Sequence, residues 1–451
     1  MAANLLHIVR YHERLRFTFV FLRHQIFVVK QCVQCRDVIA TAALAAIFFL
    51  PVRSLSAVDY AALAPEAPSS SVATKIREQL ALDAVDVLFL FDHMFTKSAT
   101  GVSANYLERV ADPTSRFHID YLEYKKRRIG RAQLVTRLPH VAMIGDSLSK
   151  HAYISSIPST FWRARTERRR DWFLDTDPSS TSVYSVFERL EKLTPLVATE
   201  YSGVGAMVDA GTGKANFFRR LVRTRNFSEQ VDQIVNAKRH PDLVLIWIGH
   251  NNVDWAAETP VNERDHPEKR LQQLATKFRA DYTRQMRRLI SCTQNDNHKV
   301  AIVVFGLVNF EAFFKAREAT EALRAKDRHL YPYLEVDYQH FLSMRPEYRA
   351  NMVRFALMMN RELAAMVDDL DKEISHSSKV QIRYSDALAR ADISRAELIH
   401  EMDAWHPSVK GHNVLAQAAF SALPSSLEFL GINSRKSTSS FSEFGQQSAA
   451  R

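Results

Sequence analysis

Ser147 stands in the stretch VAMIGDSLSKHAY, residues 141–153, where a short apolar run meets a Gly-Asp-Ser turn. A serine hydroxyl is a poor nucleophile at neutral pH and attacks an acyl carbon only with help from a base. A serine after such a turn serves equally well as a helix cap. The motif alone supports both readings. The rest of the chain must supply a base, an acid to orient it, and donors for an oxyanion.

The stretch EMDAWHPSVKGHNVLAQAAF, residues 401–420, offers the first two. Asp403 and His406 share a loop that Pro407 is able to turn into a helix. Asp403 would accept from one imidazole nitrogen and fix the tautomer, leaving the other nitrogen for the serine. His412 lies nearby, but Asp403 and His406 hold the better place at a helix start. A surface D-x-x-H is common, so the pair counts only in company. Donors follow two further apolar runs. In EYSGVGAM, Gly205 lets the backbone approach an oxyanion and offers its N–H. In WIGHNNVDW, the Asn251 side-chain amide is able to donate to the same oxygen. Gly and Asn are also ordinary turn residues.

These residues need elements that bring them to one place. The runs HVAMIG, LVATEYSG, DLVLIWIG and KVAIVVFG end at Gly145, Gly203, Gly249 and Gly306, and KVQIRYSDA begins at Lys379. Four of the five are near-continuous in apolar residues, as strands covered on both faces should be. Helical patterns lie between them. Leu271, Leu274, Phe278, Tyr282, Met286 and Leu289 recur at spacings of three and four across 266–291. Met352, Phe355, Met359, Leu363, Met366 and Leu370 do so across 349–374, and this methionine stripe reads as core. Strand–helix alternation predicts a parallel sheet with helices on both faces. Such sheets bind ligands beyond the carboxyl ends of their strands, where the candidate residues fall.

In that order, GDSLS at 145–149, SGVGA at 202–206, GHNN at 249–252 and DAWH at 403–406 resemble the four blocks of the SGNH (GDSL) hydrolase family. The resemblance covers residues 140–422. Residues 360–388 also resemble the helix and strand that lead to the family's last block. The resemblance implies an α/β fold of flavodoxin-like type, a three-layer α/β/α sandwich with a five-stranded parallel sheet. It implies ester hydrolysis without metal or organic cofactor. Ser147 would be the nucleophile, His406 the base and Asp403 the orienting acid. The Ser147 N–H, the Gly205 N–H and the Asn251 amide would form the oxyanion hole. An O-acyltransferase would use the same residues, and a vestigial site would leave a binding protein.

Two departures stand out. The family's third block usually reads Gly-x-Asn-Asp, whereas Asn252 replaces the acid here and His250 precedes Asn251. The gap between the first two blocks is long and holds Trp162, Arg163, Arg168–Arg170, Trp172 and Phe173. Those residues suit a lid or an acyl and headgroup site, or else a solvated insertion. Rival motifs fail. Residue 149 is Ser, so no Gly-x-Ser-x-Gly elbow surrounds Ser147. GTGK at 211–214 lacks the flanking Gly and Ser/Thr of a P-loop.

The chain has 451 residues, 46% hydrophobic and 24% charged, which suits a globular protein with a sizeable core. Its formal charge is +10. Residues 1–57 carry seven Lys/Arg against Glu13 and Asp37, so half of the excess lies there. No nucleic-acid motif accompanies the remaining basic clusters. Small-molecule, lipid or carbohydrate esters are the expected partners, with membrane contact through the leader. Cys32 and Cys35 form a C-x-x-C without a second pair, and Cys292 stands apart, so neither a zinc site nor a disulfide scaffold is expected. The run VIATAALAAIFFLPV at 38–52 has the length of a signal-peptide core and is short for a membrane span. The predicted organisation is a basic leader over 1–57, exported or anchoring; a linker and helical extension over 58–140; a hydrolase domain over 141–424; and a polar, disordered tail over 425–451.

Overall fold

In the computed structural model, the described residues are 99–102, 118–149, 171–175, 183–203, 205–208, 226–257, 267–327, 346–400 and 405–432. The chain divides into two compact units, Met1–Thr74 and Lys75–Arg451, and every described residue belongs to the second. The leader, the Pro/Ala/Ser linker and Asp403 lie outside the described residues. No helix among the described residues is long and apolar enough to cross a membrane.

All five apolar runs form strands: β2 (His140–Gly145), β3 (Val197–Glu200), β4 (Leu243–Trp247), β5 (Val300–Phe305) and β6 (Val380–Ser385). They pair in parallel in the order β3-β2-β4-β5-β6. Every residue of β4 and β5 is buried, whereas the edge strand β6 alternates. This is the burial expected of a sheet covered on both faces.

The sheet holds one strand more than expected. β1 (Ala99–Val102) pairs antiparallel with β3 at the edge. The region 58–140 was read as linker and helices, and it does contribute α1 (His118–Lys125) and α2 (Arg131–Val135). Four residues, Ala-Thr-Gly-Val, are too few to show an alternating pattern, so β1 left no signal in the sequence.

Helix placement follows from the handedness of the crossovers. The connection from β2 to β3 runs in one direction along the sheet, and those from β3 to β4, β5 and β6 run in the other. Right-handed crossovers then put α3 (Val186–Glu191) on one face and α4 (Phe227–Val235), α6 (Pro267–Gln294) and α8 (Pro346–Ile374) on the opposite face. α5 (His250–Ala257) packs on α8, and α9 (Val409–Ser421) packs on α3. α7 (Phe310–Lys326) follows β5. The methionine stripe is core as expected, because Met352, Phe355, Met359, Leu363, Met366 and Leu370 are all buried. The same is true of Leu271, Phe278, Tyr282, Met286 and Leu289 on α6. α10 (Pro424–Phe429) buries Leu427, and Ile432 is buried beyond it. Packed structure therefore continues past residue 424, where the tail was expected to begin.

Candidate active site

The order β3-β2-β4 decides where a ligand can sit. The chain leaves β2 toward one side for β3 and returns across it to β4, so a crevice opens beyond the carboxyl ends of these strands. The first three sequence blocks all lie there. Ser147 opens a 3-10 turn, Ser147–Ser149, one residue after β2, and 8% of its surface is exposed. A Cβ on Gly145 would lie 2.4 Å from Ser149 Oγ and 3.1 Å from Ser202 Oγ. Only glycine admits so tight a return of the chain.

Asp146 organises the turn. Its carboxylate is fully buried and accepts from Leu148 N–H (3.1 Å), Gly249 N–H (3.3 Å), His250 N–H (3.2 Å) and His250 Nδ1 (2.7 Å). Val308 N–H donates to His250 Nε2 at 3.3 Å. A nitrogen that accepts carries no hydrogen, so the ring proton sits on Nδ1 and points at Asp146. One buried imidazole thus joins the ends of β2, β4 and β5. His250 looked like a departure in the third block, and its structural role was not legible in the sequence. Asp146 beside the serine candidate was the only signal, since a buried carboxylate needs donors.

Carboxamides hold the remaining strand ends. Gln230, fully buried on α4, accepts from Gly145 N–H at 2.9 Å and donates to Gly145 carbonyl at 2.8 Å. The same Gly145 carbonyl also accepts from Gly203 N–H at 3.1 Å, so backbone and side chain together hold this strand end. Asn251 opens the second turn position of α5 and donates from Nδ2 to the Ala206 carbonyl at 2.9 Å. Asn252 Oδ1 accepts from Val208 N–H at 3.0 Å. An amide oxygen does here what a carboxylate oxygen would do, so the exchange of acid for amide keeps that contact. Gly205 lies in the tethered turn with φ +68°, a left-handed conformation that favours glycine. Ser147, Gly205 and Asn251 therefore occupy the ends of three adjacent strands, and the Asn251–Ala206 bond ties the last two together.

His406 lies in the segment before α9 and is 9% exposed. Its carbonyl accepts from His400 N–H at 2.8 Å, and Ile399 and Pro407 form an antiparallel bridge. Ser408 caps α9 by accepting from Gly411 N–H, so Pro407 stands just outside the helix instead of opening it. Asp403 lies outside the described residues. Leu148, His250 and Pro407, sequence neighbours of Ser147, Asn251 and His406, line a common cavity.

The structure separates the two histidines. His412 is buried, and its Nδ1 accepts from Trp172 N–H at 3.2 Å. Burial first, and then the neighbouring His406 and His400 imidazoles, push its pKa down to about 3. It stays neutral and serves as structure. Trp172 was expected in a lid, a headgroup site or a solvated insertion, and it is none of these. It is fully buried, donates from its indole to the Leu148 carbonyl at 3.1 Å, and packs edge-on to Trp247 and Phe305. Phe173 is also buried. Trp162, Arg163 and Arg168–Arg170 lie outside the described residues.

His412 gives a pH prediction. Its folded pKa lies below the unfolded value, so its contribution is fully present above about pH 6.5 and is lost as pH falls toward about 3. His140 acts in the same direction, with a pKa lowered to about 4 by burial and Arg239. Asp171 acts in the opposite direction, because burial and then Glu200 raise its pKa. His412→Asn keeps an acceptor for Trp172 N–H but does not titrate. Denaturant titrations should show the wild type losing stability relative to His412→Asn below pH 6.5, by up to about tenfold in the folding constant per pH unit. Parallel pH profiles of the two proteins would refute this.

A doubly wound α/β sheet with a serine at its topological switch point defines a class of hydrolase-like sites. The chain belongs to the GDSL-like lipase/acylhydrolase family, whose model matches residues 141–419, and it is an ester-bond hydrolase. Among solved structures, it is similar to the lipase Lip_vut3 from a goat rumen metagenome, with 13% identity over 63% of this chain and 97% of that one and a TM-score of 0.34. It is also similar to the extracellular lipase of Streptomyces rimosus, with 14% identity over 63% of this chain and 99% of that one and a TM-score of 0.35. No curated protein matches the chain.

Proposed function

We propose that the chain is a serine esterase that hydrolyses a carboxylic ester through a Ser147 acyl-enzyme. Ser147 Oγ attacks the acyl carbonyl while His406 takes its proton, with Asp403 orienting the imidazole. Ser147 N–H, Gly205 N–H and the Asn251 amide stabilise the oxyanion, each typically worth about 10²–10³ in rate. His406 protonates the leaving alcohol. It then deprotonates a water that releases the acid and restores Ser147. The observation that carries the reading is the convergence of Ser147, Gly205 and Asn251 on the ends of three adjacent parallel strands. The neutral, structural role of His412 supports His406 as the base.

The experiment is labelling with a fluorophosphonate probe, followed by mapping of the modified peptide. Labelling is expected at Ser147, and it should slow sharply in a folded His406→Ala variant. A folded wild type that takes no label at Ser147 would overturn the proposal.

A further inference from the structure

The cavity beside the Ser147 turn lies on the β5 side of β2, away from Gly205, which follows β3 on the other side. Its walls are apolar. The polar groups of two wall residues are already engaged: His250 bonds Asp146 and Val308, and Trp247 Nε1 donates to the Gly306 carbonyl. These groups have nothing left for a polar acyl group. The space is about 30 Å³, roughly enough for two or three non-hydrogen atoms. The walls also resist widening. Phe313 packs edge-on to Trp405 at 4.7 Å and to Phe310 at 6.1 Å, and both phenylalanines are buried.

From this geometry, and resting on the esterase reading above, we infer that the cavity is the acyl subsite and that it takes a short, unbranched alkyl group, roughly an acyl chain of two to four carbons. The carbonyl oxygen turns toward Gly205, on the β3 side of Ser147, and the alkyl end runs toward β5, into the cavity. A longer chain must displace locked aromatic rings, and overpacking of that kind is costly.

The test is hydrolysis of p-nitrophenyl acetate, butyrate and octanoate by the full chain, with fluorophosphonate labelling of the same preparation. Octanoate is expected to give kcat/KM lower than acetate by about tenfold or more. Phe313→Leu should raise octanoate turnover and narrow that gap. Should this variant fail to fold, Ile393→Phe, at the half-buried rim, should lower butyrate relative to acetate. Octanoate hydrolysed as fast as acetate by protein labelled at Ser147 overturns the inference and leaves the esterase reading standing. Absence of both label and turnover overturns the two together.

Discussion

Ser147→Ala is expected to abolish ester turnover, with kcat/KM falling by about 10³-fold or more, while the protein keeps its fold. Ser147 is nearly buried, but its side chain is small and the turn is set by its neighbours. Asp146 accepts from Leu148 N–H, Gly145 is clasped by Gln230, and Trp172 holds the Leu148 carbonyl. None of these contacts uses the Ser147 hydroxyl. The melting temperature should therefore stay close to that of the wild type. Initial rates on p-nitrophenyl acetate and a thermal melt decide the matter. Equal activity in the two proteins would remove Ser147 from the chemistry.

His250→Ala should have the next largest effect, because it acts on rate and stability together. The imidazole is buried and is the shortest donor to Asp146, and it is the acceptor for Val308 N–H. Its loss leaves a buried carboxylate short of a donor and a buried N–H without an acceptor, costing about 2–3 kcal/mol. It also releases the junction between the Ser147 turn and the start of α5, which carries Asn251. Misplacement of about 1 Å at such a junction costs on the order of 10²-fold in rate. The loss should fall mainly on kcat. His250→Asn places an amide donor near the Nδ1 position and should recover much of the activity and part of the stability. An alanine variant with wild-type kcat would show that the Ser147 turn and Asn251 are positioned by other contacts.

Several features of the protein were legible before any coordinates. Val141–Ile144, Leu243–Ile248 and Val300–Phe305 are uninterrupted apolar runs, so they had to be strands covered on both faces. The three-and-four spacing from Leu271 to Leu289 and from Met352 to Leu370 fixed two long helices and the faces they bury. The candidates Ser147, Gly205 and Asn251 stood out because each follows an apolar run, and a parallel sheet puts such positions on one edge. These features are local. Periodicity and turn chemistry record how each segment meets solvent, and the sequence writes that directly.

Other features depended on which segments meet. The sequence did not show that β3 and β4 flank β2, although that order is what brings Gly205 and Asn251 to either side of Ser147. It did not show that Trp172 would seal the core beneath the Ser147 turn, that His412 would be buried and neutral, or that His250 would bridge three strand ends. It also gave no trace of β1, whose four residues form a strand only because the edge of β3 is there to pair with. Each of these depends on a partner between 24 and 240 residues away, such as the Trp172–His412 bond, which spans 240 positions. Pattern along the chain set the elements and the residue types able to perform acyl transfer. Burial and long-range hydrogen bonding, which exist only once the sheet has closed, decided which histidine is structural and what holds the serine in place.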